Sequence, residues 1–162
     1  MKVPWCCCIG ESYTEKKDEV PLSFVPPISG GRVIKVYDGD SITIAARLPY
    51  KESPLYRFSV RLSGIDCPEI RSKDPFEAEL AVYVRDLVRN LIYGKEVELN
   101  NIGTDKYGRV LANVLYLGRS VNEWLIGNSL AVRYFGKTKP KVDWKTMAGS
   151  SHVMRVVNPF EG

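Results

Sequence analysis

A sequence signal for a tight hairpin at residues 32–47 constrains the fold more than any other feature of the sequence. Residues 32–37 and 41–47 are rich in β-branched side chains, and Asp38-Gly39-Asp40 lies between them. An Asp-Gly pair flanked by such runs is a strong signal for a short turn that joins antiparallel strands. We therefore expect the two runs to pair as neighbouring strands.

A third strand is predicted at residues 56–62, where side chains alternate between two faces. The apolar face holds Phe58, Val60 and Leu62, and the polar face holds Arg57, Ser59 and Arg61. Successive side chains of a strand point to opposite sides of the sheet. Arg61 is therefore expected to point away from the core.

A helix is predicted to begin at Asp74-Pro75-Phe76-Glu77 and to end at Gly94. The start combines an N-cap Asp, Pro at the first helical position and the Glu of a capping box, and glycine is a common helix terminator. Apolar residues at helical spacing predict the face toward the core: Phe76, Leu80, Tyr83, Leu87 and Leu91.

The second half of the chain predicts two more strands and a short helix. Residues 95–99 and 109–117 are strand-like, Ser120-Val-Asn-Glu123 predicts a capping box for a helix through about Gly127, and residues 130–134 lead into a lysine-rich tail. The order βββ-α-ββ-α predicts an α+β fold, mainly β, built on a five-stranded OB-fold barrel with helices. OB-folds commonly bind oligonucleotides or oligosaccharides.

The length and charge pattern predict one barrel domain with two extensions. A chain of 162 residues is long enough to bury a hydrophobic core that stabilises a single domain. Residues 30–136 should form the barrel, residues 1–29 an extended N-terminal arm outside the core, and residues 137–162 a basic, weakly structured tail with at most one helical turn at 143–147. The net charge of +4 is compatible with a polyanionic partner without identifying one.

The cysteines and the apolar runs bear on localisation. No apolar run approaches the roughly 20 residues that a membrane-spanning helix needs, and the N-terminal apolar stretch is too short for classical secretion. Cys6, Cys7 and Cys8 are consecutive, lack the spacing of a zinc site, and are interpreted as reduced thiols. Near Lys2 they form a candidate S-acylation cluster, which predicts a cytoplasmic or peripheral membrane protein; incidental thiols on a disordered arm are the alternative.

The residues that could carry chemistry are mainly carboxylates and arginines at turns. They are Asp38, Asp40, Asp66, Glu69 and Asp105, together with Arg61, Lys106 and Arg109. The single histidine, His152, lies in the tail, so catalysis by a Ser/His/Asp set has little support. Carboxylate oxygens suit calcium or magnesium, and guanidinium groups suit a phosphate. Acid and metal chemistry on a phosphate is therefore favoured.

Each motif also has a purely structural explanation. Asp38-Gly39-Asp40 can be a simple turn, Asp66 and Glu69 can be solvated, and residues 105–109 can be a hairpin loop whose surface ion pair is worth at most about 1 kcal/mol. The functional interpretation gains support because all of these residues fall at strand ends or turns of one small barrel.

Four segments together resemble the staphylococcal nuclease (thermonuclease) family in order and spacing, across about residues 31–134. They are VIKVYDGDS (33–41), RLSGIDCPE (61–69), TDKYGR (104–109) and VNE (121–123). The resemblance implies a calcium-dependent nuclease that cleaves the P–O5′ bond of DNA and RNA and leaves 3′-phosphate ends. It also implies single-stranded or unpaired substrate regions, and we expect a monomer.

The resemblance assigns roles to individual residues. Asp40 and Asp66 match the calcium-binding aspartates, and Cys67 matches the residue that gives its backbone carbonyl to the ion. Glu69 matches the general base or the residue that orients the attacking water, and Arg61 and Arg109 match the arginines that hold the scissile phosphate. Lys106 and Tyr107 match residues at a terminal phosphate of a bound nucleotide, and Tyr134, with Phe135, aligns loosely with the nucleotide-stacking tyrosines.

The sequence also departs from the family's pattern, and two alternatives stay open. The loop at residues 70–73 is short, and a long third helix is not expected. Some plant calcium-dependent members are lipid-anchored at their N-termini, which agrees with acylation of Cys6, Cys7 and Cys8. The alternatives are a non-catalytic OB-fold module that binds nucleic acid, and a membrane-tethered interaction protein whose nuclease chemistry is vestigial.

Overall fold

The computed structural model describes residues 23–136, 141–149 and 159–160. Its long strands are β1 (Gly30–Asp38), β2 (Ser41–Arg47), β3 (Leu55–Leu62), β5 (Glu96–Thr104) and β6 (Val110–Tyr116). Its two-residue strands are β4 (Ile65–Asp66), β7 (Arg119–Ser120) and β8 (Val132–Arg133). Its helices are α1 (Pro75–Ile92), α2 (Val121–Gly127) and α3 (Trp144–Ala148). The candidate acylation sites Cys6, Cys7 and Cys8 lie outside the described residues.

The five long strands form a closed barrel. They follow the order β3-β2-β1-β5-β6 through antiparallel pairs, and a parallel pairing of β3 with β6 closes the ring. The closing register places Val60 opposite Val110 and Arg61 opposite Leu111. The predicted five-stranded, mainly β OB-type barrel is therefore confirmed, and the short β4 and β8 form a separate two-stranded ribbon beside it.

The β1–β2 turn is pressed against α1. Asp38 pairs with Ser41, so Gly39 and Asp40 form the loop, and neither residue lies in the left-handed region of the backbone map. A Cβ atom added at Gly39 would lie 2.7 Å from Val84 Cγ1 and 3.0 Å from Cys67 Sγ. Glycine is therefore needed here for close approach rather than for a special conformation.

Helix α1 begins where the sequence predicts, and it buries a slightly rotated face. The buried residues are Leu80, Ala81, Val84, Val88 and Ile92. Phe76, Leu87 and Leu91 are partly buried beside them, whereas Tyr83 is 37% exposed, so its assignment to the core was wrong. The face toward the barrel therefore includes Ala81, Val84 and Val88 rather than Tyr83.

Strand β5 is longer than the predicted 95–99. Its register against β6 shifts between Asn100 and Gly103, and Asn101 has a φ of 54°, a conformation that asparagine tolerates better than most residues. The irregularity lets the strand continue to Thr104. It thereby delivers the chain to the loop at residues 105–109.

Both ends of the described chain contribute to the core more than predicted. Ile28 is 6% exposed, and the Ser29 carbonyl accepts a hydrogen bond from Leu99 N at 2.8 Å, so the exclusion of residues 1–29 from the core was wrong at Ile28. Trp144, at the start of α3, is 5% exposed, which differs from a weakly structured tail. None of the helices in the described ranges is long and apolar enough to span a membrane.

Candidate active site

One arginine joins the two aspartates that the sequence predicts as metal ligands. Strand pairing places Ser41, next to Asp40, opposite Arg61, and the turn after β3 returns the chain through Asp66. Arg61 Nη1 lies 2.7 Å from Asp40 Oδ2, and Arg61 Nη2 lies 3.1 Å from Asp66 Oδ1. Residues from three separate segments thus meet at one guanidinium group.

This cluster is buried and carries more negative than positive charge. Asp40 and Asp66 are 3% and 4% exposed. Burial raises the pKa of Asp40 from its ordinary 3.8 to about 6; Arg61 partly offsets this, and the neighbouring Asp38 carboxylate raises the pKa further. Asp38 Oδ1 is itself buried and has no hydrogen-bond partner within the described part of the chain.

The donor set fits a hard divalent cation. Carboxylate oxygens are the ligands that calcium and magnesium prefer. The Asp38 oxygen that lacks a partner in the described residues adds negative charge beside Asp40, whose pKa is raised mainly by burial. Within residues 23–136, 141–149 and 159–160, no group of three or more His, Cys, Asp or Glu side chains is placed to hold an ion. Backbone carbonyls and water would therefore have to complete the coordination of an ion held by Asp40 and Asp66.

The side chain of Cys67 belongs to the core rather than to a reactive site. The residue is buried beside Gly39 and Val84, and burial raises the pKa of its thiol well above the ordinary 9.0, with further raising by Asp40 and Asp38. A neutral, buried thiol is a poor nucleophile. The role predicted for the Cys67 backbone carbonyl stays a prediction.

A cleft of about 610 Å³ brings the two predicted phosphate-binding arginines together. Because Arg61 pairs with Leu111 across the closing strands, Arg109 lies only two residues along the chain from the partner of Arg61. The cleft is also lined by Lys106, Tyr107 and Tyr134. The structure thus gathers these five predicted residues at one surface.

The loop at residues 105–109 is organised by Asp105. Its carboxylate accepts hydrogen bonds from the backbone N–H groups of Tyr107 and Arg109, each at 2.9 Å, and from Arg109 Nε at 2.7 Å. Partial burial raises the pKa of Asp105, but the hydrogen bonds from Arg109 and Tyr107 lower it by more, so the net shift is downward. The ion pair expected of a simple hairpin loop, between Asp105 and Arg109, is therefore present. It holds the Arg109 guanidinium through Nε at the edge of the cleft.

Aromatic residues complete the wall of the cleft. Tyr107 is 72% exposed, and its ring has Lys106 Nζ 5.0 Å and Arg109 Cζ 5.6 Å from its centre. Tyr134 N donates to the Gly64 carbonyl at 2.9 Å, which ties this part of the wall to the turn after Arg61. Phe135 is 80% exposed in the same cleft. These rings offer flat surfaces on which a base could stack.

Glu69 lies outside the lining of this cleft. It is exposed, three positions after Asp66, and its backbone N–H donates to Glu77 Oε1 at 3.1 Å. Asp74 caps α1 as predicted, because its side chain accepts a hydrogen bond from Phe76 N. Glu77 does not complete the capping box. The Asp74 N–H donates instead to Ser72 Oγ, which in turn donates to Glu77 Oε2. Glu77 instead fixes the loop that carries Glu69.

Asn122, to which the sequence pattern assigns no role, is a positioning residue in the structure. Asn122 is 3% exposed, its Oδ1 accepts from Val114 N at 3.0 Å, and its Nδ2 donates to the Ser63 carbonyl at 2.8 Å. It therefore ties β6 to the turn between Arg61 and Asp66. Its place inside the second predicted capping box was the available signal.

Comparisons with known proteins agree with this arrangement. Residues 59–149 match the family model described as staphylococcal nuclease homologue. An uncharacterized endonuclease of Escherichia coli is 29% identical over 97 residues, which cover 59% of this chain and 55% of that protein. A probable endonuclease of Schizosaccharomyces pombe is 30% identical over 128 residues, which cover 65% of this chain and 56% of that protein.

A plant protein is similar over the same region. A staphylococcal-like nuclease of Arabidopsis thaliana is 30% identical over 99 residues, which cover 60% of this chain and 29% of that protein. The chain thus spans about half the length of the bacterial and yeast relatives and less than a third of the plant relative.

Proposed function

The chain belongs to the staphylococcal nuclease family, and from that premise we propose that it is a nuclease that hydrolyses phosphodiester bonds of nucleic acids. The observation that carries the proposal is the cleft in which Arg61, bridging two buried aspartates, and Arg109 are brought together. The relatives named as endonucleases support the same activity.

In this proposal the two arginines hold the scissile phosphate. A planar guanidinium can donate two parallel hydrogen bonds to phosphate oxygens, and fixed donors are most useful where charge develops in the transition state. Asp105 holds Arg109 through Nε, so its terminal nitrogens can serve the phosphate. Lys106 and Tyr107 would contact a neighbouring phosphate, and Tyr134 would stack on a base.

We propose calcium as the cofactor, held by Asp40, Asp66 and the Cys67 backbone carbonyl. When bound, a divalent cation stabilises negative charge on phosphate oxygens. Glu69 would orient or deprotonate the attacking water, with cleavage of the P–O5′ bond leaving a 3′-phosphate. The exposed position of Glu69 on a loop fixed by Glu77 supports a role at the solvent side of the bound strand.

A cleavage assay on the purified full chain tests this function. Single-stranded DNA and RNA are incubated with calcium or with chelator, using wild type, Arg61→Ala, and Arg119→Ala as a matched control on the exposed strand β7. We expect cleavage only with calcium, loss of cleavage in Arg61→Ala, and wild-type rates in Arg119→Ala. Retained binding without cleavage in any divalent cation would favour the non-catalytic binding module instead.

A further inference from the structure

A second cleft lies beside the first, on the far side of the 105–109 loop. Its volume is about 500 Å³, and it shares Asp105 with the cleft that holds the two arginines. Its lining includes Phe24, Arg57, Ser59 and Gly108. An extended molecule that fills the first cleft can therefore continue into the second around one loop.

The polar face of β3 connects the two clefts. Arg57, Ser59 and Arg61 alternate along the strand, so they share its outward side. Arg57 and Arg61 are four positions apart, which corresponds to about 13 Å along a strand. Arg57 is exposed, and among the residues that the structure describes no carboxylate lies within 4.0 Å of its guanidinium. Its charge is thus available to a phosphate group.

An aromatic side chain also lines the second cleft. Phe24 is 74% exposed and precedes a segment attached to the barrel by buried Ile28 and by the hydrogen bond from Leu99 N to the Ser29 carbonyl. An exposed ring beside an available cation is the combination that single-stranded nucleic acid uses, because bases stack on the ring while the cation neutralises the backbone.

We propose that the second cleft binds nucleotides that flank the cleaved bond, with Arg57 on a phosphate and Phe24 stacked on a base. The inference rests on the proposed nuclease function. It names the preferred substrate as a polynucleotide strand that crosses the 105–109 loop, rather than an isolated dinucleotide. Continuity with the first cleft favours a nucleic acid over a protein as the occupant.

The test compares kcat/KM for a long single-stranded oligonucleotide with that for a dinucleotide. Arg57→Ala and Phe24→Ala should each lower the long-to-short ratio by about tenfold, whereas Arg119→Ala should leave the ratio unchanged. Oligonucleotides extended only on the 5′ side or only on the 3′ side show which flank occupies the cleft. Thermal unfolding of each variant verifies that it is folded.

Binding measurements separate this inference from the nuclease proposal. In fluorescence anisotropy with the long oligonucleotide, Arg57→Ala should reduce the dependence of log affinity on log salt by about 0.7, and Arg57→Lys should restore it. If the wild type cleaves neither substrate, the nuclease proposal fails, and the salt dependence alone then decides whether the second cleft binds nucleic acid. Wild-type length ratios and salt dependence in Arg57→Ala and Phe24→Ala would overturn the inference.

Discussion

Replacing Gly39 by alanine should destabilise the protein and displace its two neighbours, Asp38 and Asp40. The new Cβ would lie 2.7 Å from Val84 Cγ1 and 3.0 Å from Cys67 Sγ, whereas carbon atoms pack best at about 3.5–4.0 Å. Relief requires the turn to move away from α1, and overpacking of this kind costs about 1–3 kcal/mol. Because Gly39 joins Asp38 to Asp40, we expect nuclease activity to fall with the free energy of unfolding.

Urea denaturation of four variants measures this effect. Gly39→Ala and Val84→Ala should each destabilise the protein, Gly39→Ala by about 2 kcal/mol and Val84→Ala by loss of a buried side chain. The double variant should lose less than the sum of the two single losses, because Val84→Ala removes the closest contact of the new Cβ. The control is Gly103→Ala, whose added Cβ meets no atom within 4 Å and should cost little. Unfolding of Gly39→Ala at the wild-type urea concentration, or simple addition of the effects of Gly39→Ala and Val84→Ala, would refute the steric explanation.

Three further predictions follow from the site and the arm. Arg109→Lys should lower kcat by about 100-fold, because an ammonium cannot bond Asp105 and a phosphate as a fork; near-normal turnover would contradict its role. The raised pKa of Asp40 means that the folded state binds more protons than the unfolded state between pH 3.8 and about 6, so stability is lost as pH rises. In chelator, the stability of Asp40→Asn relative to wild type should therefore grow by about 2 kcal/mol from about pH 4 to about pH 7, and an unchanged difference would argue against the buried charge. A palmitate analogue should label the wild type but not a variant with Ser at Cys6, Cys7 and Cys8, and equal labelling would remove the acylation hypothesis.

The barrel was predictable because its signals are local. Alternation in residues 56–62 and the Asp38-Gly39-Asp40 turn each determine a strand or a hairpin from adjacent residues alone. The start of α1 was equally clear from Asp74 and Pro75. The side of β3 that carries Arg61 followed directly from the two-residue period.

Other features depend on contacts between distant segments, which a pattern does not contain. The reason for Gly39 is the proximity of Val84 on α1, and the burial of Ala81, Val84 and Val88 rather than Tyr83 depends on how the helix packs on the barrel. Glu77 looked like half of a capping box, yet Ser72 occupies the N–H that it would have bonded. The contribution of Trp144 to the core was hidden because lysines dominate the surrounding sequence.

The candidate site likewise combines features that the sequence predicts with features that depend on the folded structure. Residue identities at Asp40, Arg61, Asp66 and Arg109 followed from the family resemblance, and the structure brings Arg61 together with both aspartates and, across the cleft, with Arg109. The charge balance could not be predicted, because the orphaned Asp38 oxygen and the raised Asp40 pKa depend on burial. From the sequence, Arg57 was predicted only to lie on the polar face of its strand, and its place in the second cleft depends on contacts between distant segments.

The parallel closure between β3 and β6 has a consequence for how the protein is made. Arg61 and Arg109 lie 48 positions apart in the chain, and only this pairing brings their strands together. Such distant contacts form late, because the intervening loop entropy must be overcome first. A chain still emerging from the ribosome, with β6 inside the exit tunnel, would hold the aspartates and Arg61 but lack Arg109. Nascent molecules would therefore lack one of the two arginines of the cleft until β6 has left the tunnel.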